Sequence, residues 1–314
     1  LNSLLHIRNA DVYVTGSNSK FLSSDVITQF RGRGDEIRVY PLSFSEYMSV
    51  YQGSQDDAWD DYFVYGGLPL ILTMEEVEDK VEYLNSLFQK VYISDIVERH
   101  NVRNKAELDE LVDVLASAIG SYTNPNKLVR TFKSVKNKNI SDKTIKNYTD
   151  YLIDSYLISK AERYDIKGKK YIGKLSKYYF EDVGLRNARL GFRQIEETHL
   201  MENIIYNELR VRGYHVDVGM VEHYETKAGG KRGKKQLEVD FVATKGSEKY
   251  YIQSAFALST ADKVNQEQRG LLSIPDFFRK IIVVGDNIKV RRDENGITTI
   301  GLRNFLLDEN SLKL

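Results

Sequence analysis

The chain has 314 residues, of which 41% are hydrophobic, and it carries 45 Lys and Arg against 45 Asp and Glu. This size and apolar fraction suffice for about two or three domains with buried cores. The absence of cysteine excludes disulfides and thiolate-held zinc. Neither a run of roughly 18 apolar residues nor a secretory leader occurs, so we expect a cytoplasmic protein with no membrane partner.

The first elements indicate the end of an α/β domain. An alternating strand runs into a Gly/Ser/Asn loop at residues 11–19, helical spacing follows at 22–30, and residues 36–40 alternate as a second strand. Two strands cannot form an independent doubly wound sheet, so the domain is expected to begin upstream. Leu1 lies inside a predicted element, which predicts that the sequence is a piece of a longer protein.

The middle of the chain is predicted to be helical from residue 44 to 120, with a turn at Tyr65-Gly-Gly-Leu-Pro69. Ser141 fits the N-cap of a helix that ends near residue 154. Two strand-like runs then flank a loop that contains Gly168, as in a β-hairpin. Three helices followed by a basic hairpin are typical of a winged helix; the predicted segments are 105–121, 126–134, 141–154, 157–164 and 171–180.

The last region is predicted to be a small mixed α/β domain. Its elements follow the order α-β-β-β-α-β. The two helices are predicted at 198–212 and 262–272, and the four strands at 214–218, 238–244, 249–255 and 280–284. Residues 227–235, rich in Lys and Gly, have the composition of a mobile basic loop.

Charge is segregated along the chain. Residues 52–115 contain 15 acidic and five basic side chains, whereas residues 127–180 contain 14 basic and five acidic ones. Although the net charge is zero, the chain is therefore expected to present one acidic and one basic surface.

Several short sequence motifs occur in the same order as in AAA-type ATPases with a C-terminal DUF4143 region, which this chain therefore resembles. They are Val14-Thr-Gly-Ser-Asn-Ser19, Tyr40-Pro-Leu-Ser-Phe-Ser-Glu46, Tyr65-Gly-Gly-Leu-Pro69, Tyr92-Ile-Ser-Asp-Ile96, Tyr178-Tyr-Phe-Glu-Asp-Val-Gly-Leu185 and Glu238-Val-Asp-Phe241. The resemblance implies an intact protein that binds ATP and Mg²⁺. This chain contains neither GxxxxGK(S/T) nor a strand ending in paired acids, so it is expected to be inactive as an ATPase and to hold no cofactor itself.

The same resemblance assigns nucleotide-sensing roles to three residues. Ser17 or Asn18 would be the polar sensor of the γ-phosphate, and Arg33 would be an arginine finger that acts in a homo-oligomer. Alternatively, Ser17 and Asn18 cap the next helix and Arg33 is a solvated cation at its end. Arg31 is an equally placed rival for the finger.

The basic segment is a candidate nucleic-acid interface. Lysines meet phosphates without reading base sequence, so any DNA contact here is expected to be to the backbone. A partner protein or a neighbouring subunit is the alternative. The candidate contacts are Lys143, Lys146, Lys167, Lys169 and Lys170.

Glu238-Val-Asp240 and Gln253-Ser-Ala255 resemble the core of PD-(D/E)xK nucleases, with Glu202 as an extra carboxylate. In that chemistry paired acids hold a divalent metal and a lysine helps to activate water. Here Gln253 stands at an acid position and Ala255 at the lysine position. We therefore expect a vestigial, binding-only site that holds no metal.

The predicted fold class is multidomain α/β and α+β. It comprises a remnant of a P-loop ATPase domain at 1–60, a helical lid plus winged helix at 61–190, and a DUF4143-type, restriction-endonuclease-like mixed α/β domain at 191–314. Three functions stay open. They are an ATP-driven switch whose modules bind DNA or a partner protein, a nucleotide-independent DNA- or protein-binding regulatory module, and a metal-dependent nuclease.

Overall fold

The computed structural model of the chain describes residues 7, 9, 11–13, 15, 37–135, 139–226 and 232–314. Residues 11–13 and 15 of the first predicted strand form no strand. The rest of that strand and the predicted helix at 22–30, with Ser17, Asn18, Arg31 and Arg33, lie outside the described residues. Residues 37–40 form no strand, so that prediction was wrong. Their apolar side chains at positions 37 and 39 are mostly exposed, and a strand requires a neighbour to receive its backbone hydrogen bonds.

The predicted helical middle is confirmed. The first helix, α1 (Phe44–Val50), begins with a capping box, in which the Ser43 backbone N–H donates to the Glu46 carboxylate at 2.8 Å and Ser43 Oγ accepts from the Glu46 N–H. A 3-10 turn covers Pro69–Thr73 and a π-helical segment covers Leu87–Ile93. The next helices are α2 (Gln55–Tyr65), α3 (Val77–Ser86), α4 (Ser94–Arg99), α5 (Lys105–Ser117), α6 (Pro125–Val135) and α7 (Asp142–Asp154).

The predicted order of three helices and a hairpin is present. Ser141 caps α7 by accepting from the Thr144 N–H at 3.0 Å, as predicted. After α7, strands β1 (Ile158–Asp165) and β2 (Lys170–Phe180) form an antiparallel hairpin. Between α5 and α6, Thr123 forms an isolated antiparallel β-bridge with Ser176 of β2.

Within the described residues, eight strands form one sheet in the order β2-β1-β3-β4-β5-β6-β8-β7. The hairpin joins this sheet because β1 pairs in parallel with β3, with Asp165 opposite Met220. The proposed domain boundaries stay predictions. The remaining elements are α8 (Val183–Arg189), α9 (Glu197–Val211), β3 (His215–Thr226), β4 (Arg232–Lys245), β5 (Glu248–Ala255), α10 (Ala261–Leu272), β6 (Arg279–Val284), β7 (Arg291–Arg292), β8 (Ile297–Gly301), α11 (Leu302–Leu307) and a 3-10 turn at Ser311–Lys313.

Strands β3 and β4 are much longer than the sequence pattern indicated. Lys234 and Lys235 lie in β4 opposite Tyr224 and His223, so the prediction of a mobile loop was wrong for these positions. Two long strands satisfy each other's backbone groups even where their side chains are polar. Residues 227–231 lie outside the described part. Strands β7 and β8 and helix α11 were not predicted.

The turn at residues 65–69 packs against the start of α8. The Gly67 N–H donates to Asp182 Oδ2 at 2.8 Å, and the Leu185 N–H donates to Asp182 Oδ1 at 3.0 Å. A Cβ atom on Gly184 would lie 1.9 Å from the Tyr65 carbonyl oxygen, so only glycine permits this approach. Burial raises the pKa of Asp182 to about 6, although its backbone hydrogen bonds oppose the shift.

Helix α9 lies at the centre of the main core. Its buried side chains share one apolar cluster with residues of the sheet and of α1 and α2, including Phe44, Tyr62, Ile205, Val218 and Phe241. Among the described residues, no helix combines the length and the apolar character that crossing a membrane requires.

Candidate functional site

A lysine ammonium lies inside a cluster of three carboxylates. Lys177 Nζ is 2.8 Å from Glu202 Oε1, 2.6 Å from Glu238 Oε1 and 4.0 Å from Asp240 Oδ1. The predicted acidic residues are therefore brought together, and a residue that was not predicted lies among them. We call these four residues the lysine–carboxylate cluster.

Three elements position the lysine–carboxylate cluster. Glu238 and Asp240 are alternate residues of β4 and share one face of the strand, and Lys177 and Tyr179 do the same on β2. Glu202 comes from α9, which packs across the sheet. Its carboxylate also accepts from Tyr179 Oη at 2.6 Å, which fixes its orientation between the two strands.

The cluster is shielded from water. Side-chain exposure is 5% for Lys177, 10% for Glu202 and 11% for Asp240, and only Glu238, at 31%, reaches the surface. Burial alone would lower the pKa of Lys177, but Glu202, Asp240 and Glu238 outweigh it and raise that pKa above its ordinary value. The lysine is therefore a charged ammonium at neutral pH.

Asp240 is nearly as buried as Glu202. Burial, followed by the charge of Glu202, raises the pKa of Asp240 well above its ordinary value, while Lys177 opposes the shift. Its Oδ2 atom accepts from the Ser254 N–H at 2.8 Å. Asp240 therefore takes up a proton at a higher pH than an exposed aspartate does.

The two positions that depart from the nuclease pattern have different surroundings. Gln253 Oε1 accepts from the Asp240 N–H at 3.4 Å, and Gln253 Nε2 donates to Glu267 Oε2 at 3.1 Å. Ala255 is buried and contributes only its methyl group to the core. Among the residues that the structure describes, no group of three or more His, Cys, Asp or Glu is arranged to hold a metal ion.

A cleft of about 600 Å³ lies next to the exposed side of the cluster, between β4, β5 and α10. Its polar lining suits a hydrated or charged ligand more than an apolar one. The lining includes Lys235, Glu238, Gln253, Asn265, Gln266 and Glu267.

The five lysines proposed to meet DNA are all exposed. Lys143 and Lys146 lie on α7, and Lys167, Lys169 and Lys170 surround the tip of the β1–β2 hairpin. Their role in binding stays a prediction. Their surroundings are nevertheless defined, because the tip is anchored to the sheet.

The anchor of the hairpin tip is a buried apolar residue. Ile166 is 4% exposed, and its N–H donates to the Met220 carbonyl oxygen at 3.0 Å. Arg163 Nη2 also donates to Gln236 Oε1 at 3.3 Å, across β3. The tip therefore lies beside the outer halves of β3 and β4, where Lys234 and Lys235 are exposed.

Lys177 is the residue of the lysine–carboxylate cluster that the sequence does not single out. It was counted as one more charge of the basic segment. A usable signal exists in the strand itself, because Lys177 precedes Tyr178, Tyr179 and Phe180 in a run of large apolar side chains. A charge that leads directly into such a run favours a buried position with a partner of opposite charge.

Three family models match consecutive parts of the chain. Residues 1–48 match an AAA domain, residues 56–196 match a domain of unknown function, DUF8612, and residues 197–305 match a second domain of unknown function, DUF4143. An uncharacterized protein of Haemophilus influenzae is 33% identical over 312 residues, which cover 98% of this chain and 73% of that protein. The chain belongs to this AAA-type, ATPase-like family with DUF4143.

A second protein of similar sequence is also uncharacterized. The uncharacterized protein MJ1544 of Methanocaldococcus jannaschii is 30% identical over 265 residues, covering 81% of this chain and 57% of that protein. Among solved structures, protein VC1899 from Vibrio cholerae overlaps 90% of this chain and 63% of its own, at 12% identity and a TM-score of 0.26. So low a score carries no argument about the fold of this chain.

Proposed function

We propose that the intact protein is an ATP- and Mg²⁺-binding AAA-type ATPase, and that the modules described here are its cytoplasmic output, which binds duplex DNA through the backbone without cutting it. The AAA match at residues 1–48 supports the first half. The observation that carries the second half is the joined sheet, because the pairing of β1 with β3 fixes Lys167, Lys169 and Lys170 beside the basic outer half of β4.

Two arrangements of elements support the nature of these modules. Helices α5, α6 and α7, the bridge at Thr123 and the β1–β2 hairpin have the order of a winged helix. The order α9-β3-β4-β5-α10-β6 has the pattern of a restriction-endonuclease-like core, with the carboxylates on α9 and β4. In this proposal the first module provides phosphate contacts and the second provides a rigid support.

The chemistry of the site supports binding without cleavage. A metal-dependent nuclease needs anionic ligands for the metal and a basic group near the attacking water. Gln253 is neutral, and Ala255 has no amine. Lys177 also places a positive charge between the carboxylates, where it competes with any metal ion for them.

The test of DNA binding uses Lys167→Gln/Lys169→Gln/Lys170→Gln. If each lysine contacts one phosphate, the triple variant binds duplex DNA more weakly, and the slope of log K against log salt falls by about 2 to 3. Fluorescence anisotropy at several salt concentrations measures both quantities. Equal affinity and an equal slope for the variant and the wild type would contradict the proposal.

A matched control removes the same number of exposed lysines elsewhere. Lys105→Gln/Lys289→Gln/Lys313→Gln changes net charge equally but leaves the hairpin tip intact. The control is expected to keep most of the affinity, because the effect depends on position and not on total charge. An equal loss in both triple variants would indicate non-specific attraction only.

The ATPase half is tested on the intact protein. Arg33→Ala is expected to reduce ATP hydrolysis by about 10³-fold or more while ATP binding is retained, because a finger acts on the charge of the transition state. Arg31→Ala tests the rival position in the same assay, and it is expected to keep most of the activity if Arg33 is the finger. An intact protein that binds no ATP, or an Arg33→Ala variant with full activity, would contradict this assignment.

A further inference from the structure

The lysine–carboxylate cluster has a cation that is part of the chain itself. The Lys177 ammonium comes from the β1–β2 hairpin, whereas its acidic partners come from α9 and β4 of the C-terminal region. Its contacts with Glu202 and Glu238, at 2.8 and 2.6 Å, are as short as charge-assisted hydrogen bonds. The ammonium thus offsets the negative charge of the carboxylates, and the cluster links segments that are distant in the sequence.

A divalent metal ion would use the same oxygens. Glu202 and Glu238 each place a carboxylate oxygen within 2.8 Å of the point that the ammonium occupies, and Asp240 Oδ1 is 4.0 Å from it. Carboxylate oxygens are the ligands that Mg²⁺ and Mn²⁺ prefer. A metal ion and an ammonium a few ångströms apart in a shielded site repel each other strongly. The site therefore accommodates one of these cations at a time.

Hydrophobic packing alone does not account for Lys177. An ammonium that is 5% exposed has lost its hydration, which is unfavourable unless several acceptors replace the water. Conversely, the carboxylates of Glu202 and Glu238 would repel each other without a cation between them. Each part of the cluster is thus stable only in the presence of the other.

We propose that the Lys177 ammonium is the resident cation of this cluster, that it takes the place of a divalent metal ion, and that it fastens the hairpin to the C-terminal domain. The cluster keeps the acidic geometry but binds no Mg²⁺ or Mn²⁺ while the lysine is present. This inference is independent of DNA binding, so the hairpin-tip variants and the cluster variants test different statements.

The first experiment replaces the ammonium and keeps its stem. Lys177→Met has a similar length but no charge, so it is expected to bind Mn²⁺ in isothermal titration calorimetry, whereas the wild type binds none at this site. Adding Glu238→Gln to Lys177→Met is expected to weaken Mn²⁺ binding by about tenfold or more, because a charged ligand is lost. A wild type that binds Mn²⁺ in a Glu238-dependent manner would overturn the proposal.

The second experiment measures thermal stability. Without metal, Lys177→Met is expected to lower Tm by about 5 to 10 °C, because two or three buried carboxylates lose their cation. Millimolar Mn²⁺ should restore part of the loss, since a ligand that binds only the folded state stabilises it. Lys160→Met, at an exposed pair with Glu162, is the control and should shift Tm only slightly.

A third variant covers the case in which Lys177→Met does not fold. Lys177→Met/Glu202→Gln/Glu238→Gln removes the repulsion together with the cation, so it is expected to fold better than the single variant and to bind no Mn²⁺. If the triple variant is as unstable as the single one, the lysine acts through packing and the proposal is wrong. A folded Lys177→Met that binds no Mn²⁺ overturns it as well.

Discussion

The two ends of the β1–β2 hairpin use lysine in opposite ways. Near the tip, Lys167, Lys169 and Lys170 are exposed to solvent, whereas Lys177, a few residues along β2, is almost completely buried among carboxylates. A count of charges along the sequence treats all of them alike. The comparison teaches that burial, not charge, separates a lysine that can meet a ligand from one that holds the fold together.

The physical reason is the local dielectric environment. An exposed lysine is screened by water and salt, so its interactions are weak and exchangeable. A buried ammonium has no water to replace a lost partner, so the removal of one carboxylate leaves an uncompensated charge.

Glu202→Ala should strongly destabilise the protein. Both Lys177 and Tyr179 donate to the Glu202 carboxylate, and the loss of a partner in a buried ion pair costs about 3 to 5 kcal/mol. Denaturant unfolding measures the change. The matched control is Glu222→Ala, which removes an acid paired with the exposed Lys234 and should have a far smaller effect. Equal effects of the two substitutions would remove the distinction between buried and exposed pairs.

Asp182 is a second kind of buried acid, because backbone N–H groups and not a lysine hold its carboxylate. Its pKa is raised from 3.8 to about 6, so the folded state keeps a proton that the unfolded state releases near pH 4. The free energy of unfolding from this group therefore decreases as pH rises from about 4 to about 6, by about 3 kcal/mol in total.

Asp182→Asn removes this pH dependence, because an amide does not titrate in that range. The difference in unfolding free energy between wild type and variant, measured at several pH values, should therefore change most between about pH 4 and pH 6. The difference profile isolates Asp182 from other buried acids such as Asp240. A difference that is constant over this interval would contradict the raised pKa.

The smallest effect is expected at the hairpin tip. Lys167→Gln/Lys169→Gln/Lys170→Gln should change the free energy of unfolding by less than about 0.5 kcal/mol per residue, since exposed substitutions away from caps and buried networks have little influence. Urea unfolding of this variant, which is the DNA-binding variant above, checks this. A large loss of stability would mean that the tip lysines are part of the fold.

Local signals in the sequence were sufficient for most elements. The helix that ends at Asp154 was predicted from its Ser141 cap and its apolar spacing, and the hairpin was predicted from alternation around Gly168. Strands β3 and β4 were predicted too short, because their outer halves are polar and depend on each other for pairing. Such pairing has no signature within one strand.

The site was predictable only in part. Glu202, Glu238 and Asp240 were recognised because their spacing resembles a nuclease core, and the structure brings them together. The ammonium among them was not predicted, since Lys177 reaches Glu202 and Glu238 only after the hairpin joins the sheet. Long-range contacts of this kind leave no periodicity along the chain. The roles of Ser17, Asn18 and Arg33 stay predictions, as do those of the exposed lysines.

Whether the Lys177 ammonium takes the place of a metal ion is tested most directly by a crystal structure of Lys177→Met grown with Mn²⁺. Wild-type crystals grown in the same way are the comparison. If Lys177 takes the place of a metal ion, the variant will show an anomalous peak between Glu202 and Glu238, and the wild type will show the ammonium there without a peak. A Mn²⁺ ion bound beside Lys177 in the wild type would contradict the account.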